Sequence, residues 1–422
     1  MGILKLKFNE TFNFLFTQSI YMVFFRIFGI LLQTIAIFTI ANLVSIEKMG
    51  IFSLLIGIFS TTKVLGCFGT DLLLIKSLSS KYSLKDQNVK LSTASLLITI
   101  FFSFVLFLIL CPIFYYFIQK TLLFITFFYI FFGSIVGYFT SLFRGYGKNL
   151  ISFLPDLVLS NLIFLLLIFI SKYLFDLSIE VIIYIHLLSI FIGLFFYTLI
   201  LINFKIKIIA KISLSEVFKI VNKSISFFLS SSFVSIYVKL PLFISAILYT
   251  SAFTAILDIS TRISSIPVII TNSISNFYAN YFSKNYYDKN YKELKKFLYA
   301  SSFISSIGSI LSCLILISFG KYIILVFLPQ TYEATYNLII IFSFAYVSHC
   351  SLSISSTFML MTDSEKIISI ISFLQIILLI ALSFLLSFEF DELSLILSII
   401  ISMIFKDLLT MILAIKKLSG LN

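Results

Sequence analysis

The sequence predicts an all-α, polytopic membrane protein, and three observations carry that reading. Of its 422 residues 60% are hydrophobic and only 11% charged, with a mean hydropathy of +1.13, far too little polar surface to cover a soluble globule of this size. Apolar runs of about 20 residues, the length that crosses a bilayer core as a helix, recur along the whole chain. Between them lie short loops rich in lysine, and 30 Lys and Arg outnumber 18 Asp and Glu. No basic stripe with interleaved aromatics sits on a soluble module, so the surplus of cations points to a membrane and not to nucleic acid.

Taken in order, the runs fall at 13–43, 50–77, 91–117, 121–143, 153–171, 180–203, 224–249, 251–276, 297–319, 334–361, 365–387 and 390–414. That makes twelve transmembrane helices. Lys5 and Lys7 precede the first run, but the run is longer than a signal-peptide core and lacks a small-residue cleavage site, so it is expected to be retained. Alternating the loops from a cytoplasmic N-terminus puts 21 of the 30 cations, from Lys5 to Lys417, on the inner side. Only Lys48, Lys120, Lys172 and Lys321 fall outside, and the remaining five lie within spans. This asymmetry predicts both termini in the cytoplasm. The segment 204–223, with Ile and Val between its lysines, reads as an amphipathic stretch lying against anionic headgroups. It sits near the midpoint of the chain, dividing it into an N-terminal bundle, helices 1–6 over residues 1–212, and a C-terminal bundle, helices 7–12 over residues 213–422. That is the layout of a parallel repeat.

Six charges lie well inside the apolar runs: Arg26, Lys63, Asp71, Lys239, Asp258 and Arg262. Each costs roughly 2.5–3.5 kcal/mol at the centre of a spanning helix, so such residues face a protein interior or a wet cavity. If the two bundles face each other across a central cavity, the four cations line it with a net charge of +2, which attracts an anion. Arg26, Lys63 and Lys239 have no carboxylate within four residues, and substrate contact is predicted for them. Phosphate suits such a set, because arginine supplies forked hydrogen bonds and lysine a point charge. Asp258 and Arg262 are four apart, share one helix face and can pair; Asp71 and Asp258 are candidates for charge pairing or for ion coupling. Pro241 and Pro267 are candidate hinges, since proline removes a ladder hydrogen bond.

The remaining chemistry-bearing residues are read more plainly. His186 and His349 are the only histidines, one in each half, and are expected as hydrogen-bonded packing residues. Asp156, Lys406 and Asp407 fall near cytoplasmic helix ends, where snorkelling makes charges cheap, and no special role is expected of them. Cys67, Cys111, Cys313 and Cys350 sit inside apolar runs without a CxxC pattern and are expected to pack. There is no P-loop, GxSxG, HExxH or ligand set on a loop, so neither enzymatic activity nor a cofactor nor a metal is expected.

Three stretches carry a resemblance: ANLVSIEKMGIFSLLI at 41–56, LGCFGTDLLLIKSLSS at 65–80 and LFRGYGKNLISFLPDLV at 142–158. They resemble the Wzx-type polysaccharide-biosynthesis flippases of the multidrug/oligosaccharidyl-lipid/polysaccharide exporter superfamily, with Glu47 and Gly50, Gly69 and Asp71, and Lys76 on the pattern. The resemblance implies two bundles around a cationic cavity that opens alternately to each side. Its cargo is expected to be an undecaprenyl-diphosphate-linked oligosaccharide, the repeat unit of O-antigen or a related surface polysaccharide such as that of lipopolysaccharide. The direction implied is from the cytoplasmic to the periplasmic leaflet of a bacterial inner membrane. Arg26, Lys63, Lys239 and Arg262 would hold the diphosphate; the related lipid II flippase also places cations in helices 1, 2 and 8. Partners implied are the lipid-linked oligosaccharide, membrane lipids, and the polymerase and chain-length proteins of the same pathway. Two rivals stand: a drug/cation antiporter of the same superfamily, disfavoured by the surplus of cations, and a membrane-embedded polysaccharide polymerase. The latter resembles proteins with a long outer loop carrying Arg and His, whereas the longest outer loop here, 320–333, has neither.

Overall fold

A computed structural model describes residues 24–25, 27–78, 85–117, 120–174 and 178–421. Among them the regular secondary structure is all helical, without a strand. The helices are α1 (Ile27–Ala41), α2 (Ile46–Leu65), α3 (Thr70–Leu78), α4 (Lys85–Phe117), α5 (Lys120–Gly145), α6 (Asn149–Phe153), α7 (Ser160–Leu174), α8 (Ile179–Asn203), α9 (Leu214–Leu248), α10 (Ser251–Ser264), α11 (Ile266–Tyr287), α12 (Tyr291–Phe327), α13 (Thr335–Leu352), α14 (Ile354–Met361) and α15 (Glu365–Leu421). Among the described residues nine helices are long and apolar enough to cross a membrane, ten if α10 and α11 are counted as one broken span. Phe, Leu and Ile side chains stay exposed along them, among them Phe101, Phe303 and Phe319, as a lipid-facing surface requires. The protein is a multi-pass membrane protein.

Several runs expected as single helices are broken, each at a residue with a local reason. The 50–77 run divides into α2 and α3 at Gly66–Gly69, where Phe68 (φ 47°) and Gly69 (φ 73°) adopt left-handed backbone. Glycine takes that conformation without penalty; phenylalanine does not. Phe68 is held there by stacking on Phe102 and Phe228, with centroids 3.7 and 4.4 Å away. The 251–276 run bends by 47° between α10 and α11, and Pro267 lies in the first turn of α11, where its missing N–H costs nothing. Pro241, by contrast, sits inside a continuous α9. The 153–171 run carries a π-helical turn at Leu154–Leu159. Asp391, non-helical at φ 43° and ψ −132°, breaks the 57-residue α15 beside the boundary expected near 387–390.

Two compact units make up the chain: residues 1–40 with 58–231, and residues 41–57 with 232–422. In the first, α3, α4, α5 and α8 pack around buried Tyr129, Tyr138, Phe143 and Tyr197. In the second, Leu242, Phe253, Leu257, Phe342, Leu379 and Ile396 form one core, and Phe282, Leu298, Phe358 and Leu418 a second. Gly50 lets α2 touch the start of α10, since a Cβ there would lie 1.9 Å from the Ser251 carbonyl oxygen.

The segment expected as an amphipathic stretch has no regular secondary structure over 206–213 and is docked on α4. The Thr93 hydroxyl donates to the Ile208 carbonyl at 2.8 Å and accepts from the Ala210 N–H at 2.9 Å. Ser213 and Glu216 then open α9 as a capping box, the Glu216 carboxylate accepting the Ser213 N–H at 2.9 Å. Glu216 also takes Lys90 at 2.8 Å, and these contacts, the Lys90 hydrogen bond first, draw its carboxyl down to about 2.

Candidate functional site

The predicted site residues fall into each unit separately, apart from Arg26, which lies outside the described residues. In the first unit Lys63 ends α2, and its ammonium is ion-paired with Asp156. The pairing explains the π-helical turn's placement: Pro155 enters that turn, and Asp156 rides on it toward α2. Where the sequence offered Lys63 no carboxylate within four residues, the fold supplies one from 93 residues away. Asp71 lies in the first turn of α3, a position that favours a carboxylate. Its Oδ1 is buried without a hydrogen-bond partner among the described residues, and Arg144 stands within Coulombic reach.

In the second unit Asp258 and Arg262 do pair along α10, Nε to Oδ2 at 2.9 Å. Asp258 is 1% exposed and Arg262 17%. The pair meets at ion-pair distance but off hydrogen-bonding angle, so Arg262 Nε and Nη2 and both Asp258 oxygens stay buried without a hydrogen bond among the described residues. Lys239 of α9 stands within Coulombic reach of both. Two cations therefore share one carboxylate, and the local charge is positive with donors still open. An anion with several acceptor oxygens complements that arrangement.

Two residues expected to be incidental turn out to be partners. Besides Asp156, Asp407 is buried and pairs with His349, Nδ1 to Oδ2 at 2.7 Å, across α13 and α15. Separations of 93 and 58 residues leave no mark on helical spacing, so no sequence signal could have found either contact. His186 is bonded to the Tyr129 hydroxyl at 2.7 Å and ringed by Phe59 and Phe164, the packing role expected of it.

Comparison with known proteins bears on what this arrangement serves. No curated protein matches the chain. Among solved structures it is similar to the inward-facing conformation of a multidrug resistance MATE family transporter of the MOP superfamily, at 14% identity and a TM-score of 0.75, over 96% of this chain and 98% of that one. It is similar to an outward-facing conformation of such a transporter at 14% identity and TM-score 0.65, over 96% of each chain. A MATE structure in a bent conformation matches at 15% identity and TM-score 0.63, over 96% of this chain and 94% of that one. These likenesses give the fold, one shared with MATE family transporters. The model of one family, described as polysaccharide biosynthesis protein, matches residues 15–279, more than half of the chain. With that match, the chain belongs to the polysaccharide biosynthesis protein family.

Proposed function

We propose that the protein is a flippase for lipid-linked oligosaccharides, moving undecaprenyl-diphosphate-linked repeat units from the cytoplasmic to the periplasmic leaflet of a bacterial inner membrane. The observation that carries this is the cation-rich cluster of the second unit, where Arg262 keeps two buried nitrogens without hydrogen bonds among the described residues and Lys239 stands close enough to feel both members of the Asp258–Arg262 pair. A diphosphate offers the oxygens such donors lack. The family match ties the chain to polysaccharide biosynthesis, and the fold it shares with MATE transporters supports movement of a cargo by alternating access.

In this reading Arg26, Lys63, Lys239 and Arg262 are the substrate-binding residues. Lys63 exchanges Asp156 for the cargo, Asp258 tunes Arg262 by charge pairing, and Asp71 is the candidate for ion coupling. The α10–α11 bend beside Pro267 is the more favourable hinge, and Pro241 a secondary one. The full complement is twelve spans with both termini cytoplasmic, α10–α11 counted as one span and α15 as two about Asp391. O-antigen or a related surface polysaccharide is the product served, and the polymerase and chain-length proteins act downstream.

The test is mass spectrometry of the lipid fraction with blotting of surface glycan, in cells lacking this gene and with it restored. Complete diphosphate-linked repeat units should accumulate while surface polymer disappears. Restoring the gene with Arg26→Ala or Arg262→Ala should leave the protein in the membrane and the polymer absent. Single repeat units on the surface without long chains would make the protein a polymerase, and normal polymer in both variants would remove the four cations from the site.

A further inference from the structure

Where α12 turns into α13, the second unit holds a cavity that the proposed function leaves unused. Its volume is about 310 Å³, and Lys321, Leu325, Glu333, Tyr336 and Asn337 are among the residues lining it. The turn is firmly built. Leu328 and Tyr332 are buried, the Tyr332 N–H donates to the Pro329 carbonyl at 3.0 Å, and the Asn42 side chain donates to the Phe327 carbonyl at 2.7 Å. The Tyr336 ring lies over Gly320, 3.5 Å from where a Cβ would stand, and its hydroxyl donates to the Ile317 carbonyl at 3.0 Å. One wall of the cavity is therefore a fixed aromatic ring.

Lys321 and Glu333 bring opposite charges to this one cavity without pairing with each other. Among the described residues neither side chain has an ion pair or a hydrogen bond. Asn337 adds an amide that can both donate and accept. A small molecule carrying an anion and a cation together answers both charges, whereas a neutral sugar answers neither. The space is at the lower end of the roughly 300–1,000 Å³ usual for ligand sites, so it suits a headgroup and not an oligosaccharide.

The surroundings are those of a lipid. Tyr291–Phe327 and Gln330–Met361 are each long and apolar enough to cross the membrane, and Lys321 and Glu333 stand near the ends that the turn joins, where a lysine reaches headgroup depth by snorkelling. Leu314, Ile310 and Ile307 lie seven, eleven and fourteen residues before Lys321, on the same helix face, and all three are exposed. At about 1.5 Å per residue that stripe runs through one leaflet. On α13, exposed Phe344 follows Asn337 by seven residues in the same direction. We propose that the cavity binds the headgroup of a zwitterionic phospholipid, Lys321 holding the phosphate and Glu333 the ammonium, with the acyl chains along the apolar faces of α12 and α13. Charge-assisted hydrogen bonds at both ends of the headgroup give the site its selectivity. The proposal does not rest on the flippase reading.

The probe is dioleoyl phosphatidylethanolamine, added to the delipidated full-length protein in one detergent, with bound molecules counted by native mass spectrometry. Dioleoyl phosphatidylglycerol, an anion without an ammonium, is the comparison. One molecule of the ethanolamine lipid should bind roughly tenfold more tightly than the glycerol lipid, the worth of one hydrogen bond to a charged group. Glu333→Gln should bring the two lipids level, and Lys321→Ala should weaken the ethanolamine lipid by about the same factor. Equal binding of the two lipids by the wild-type chain overturns the proposal, as does either variant binding like wild type. Should a variant not fold, Asn337→Phe, which fills the cavity from an exposed position, replaces it; ethanolamine-lipid binding should fall there too, and unchanged binding overturns the proposal. Soluble phosphoethanolamine that displaces the lipid at equal concentration would make this a site for a free zwitterion and overturn the lipid assignment. No lipid-linked oligosaccharide is present, so a chain that passes this test yet moves no such cargo keeps the lipid site and loses the flippase reading.

Discussion

The two units compensate their intramembrane cations in opposite ways. In the first, Lys63 draws Asp156 from a π-helical turn 93 residues on; in the second, Arg262 draws Asp258 from the preceding turn of its own helix. A pair made between elements is lost when either moves, so Lys63–Asp156 fastens α2 to the turn before α7. A pair made within one helix travels with it, so α10 carries its charges wherever it goes. The second unit also keeps Lys239 within Coulombic reach of its pair, a second cation for one carboxylate.

The contrast breaks most visibly at Arg262. Arg262→Ala strands Asp258, 1% exposed, and should cost about 3–5 kcal/mol. Asp258→Asn with Arg262→Met should recover most of it, as unfolding of the two variants in one detergent will show. Equal losses in both would mean that Asp258 does not depend on Arg262. Next comes the break that shapes α3: Gly69→Ala puts a Cβ 2.3 Å from the Ser224 carbonyl oxygen at a φ of 73°, and should cost about 2–3 kcal/mol. Gly147, at φ 74° with nothing within 4 Å, is the control. Gly147→Ala should show only the backbone part, about 1 kcal/mol, so the gap between the two measures the close approach.

Lys63→Ala and Asp156→Ala should each cost about 1–2 kcal/mol, because the pair is 25% and 13% exposed and so partly screened. Exchanging the two residues, Lys63→Asp with Asp156→Lys, should restore stability but not transport. If the exchange restored transport too, Lys63 would be a fastener only. The smallest effect is expected at the connector. The Glu216 carboxyl lies below its ordinary value, so its contribution is full above about pH 4.3, the unfolded value, and is lost as pH falls through about 2. Amide exchange over 206–213, corrected for intrinsic rates, should rise across that window, and Glu216→Gln should make the rise disappear.

Which of these features the sequence discloses depends on how local their cause is. The helical, membrane-spanning nature of the chain follows from composition and run length. Asp258–Arg262 follows from one turn of helix, and Gly50 and Gly69 stood out in the motifs before the close approach and the left-handed backbone explained them. Asp156 and Asp407 did not stand out, because their partners come from elsewhere in the chain and snorkelling accounted for each acid alone. The break at Gly66–Gly69 was hidden for a related reason: it depends on Phe68 stacking against residues of α4 and α9, which only the folded chain brings together.

The central claim, that the protein carries a lipid-linked oligosaccharide across the bilayer, is tested most directly in proteoliposomes. The purified protein is reconstituted with a diphosphate-linked repeat unit loaded in the inner leaflet only, and the glycan reaching the outer leaflet is read by an added glycosidase. Cleavage beyond the protein-free rate, falling to that rate with Arg262→Ala, is the predicted result. Cleavage at the protein-free rate with the wild-type chain would contradict the account.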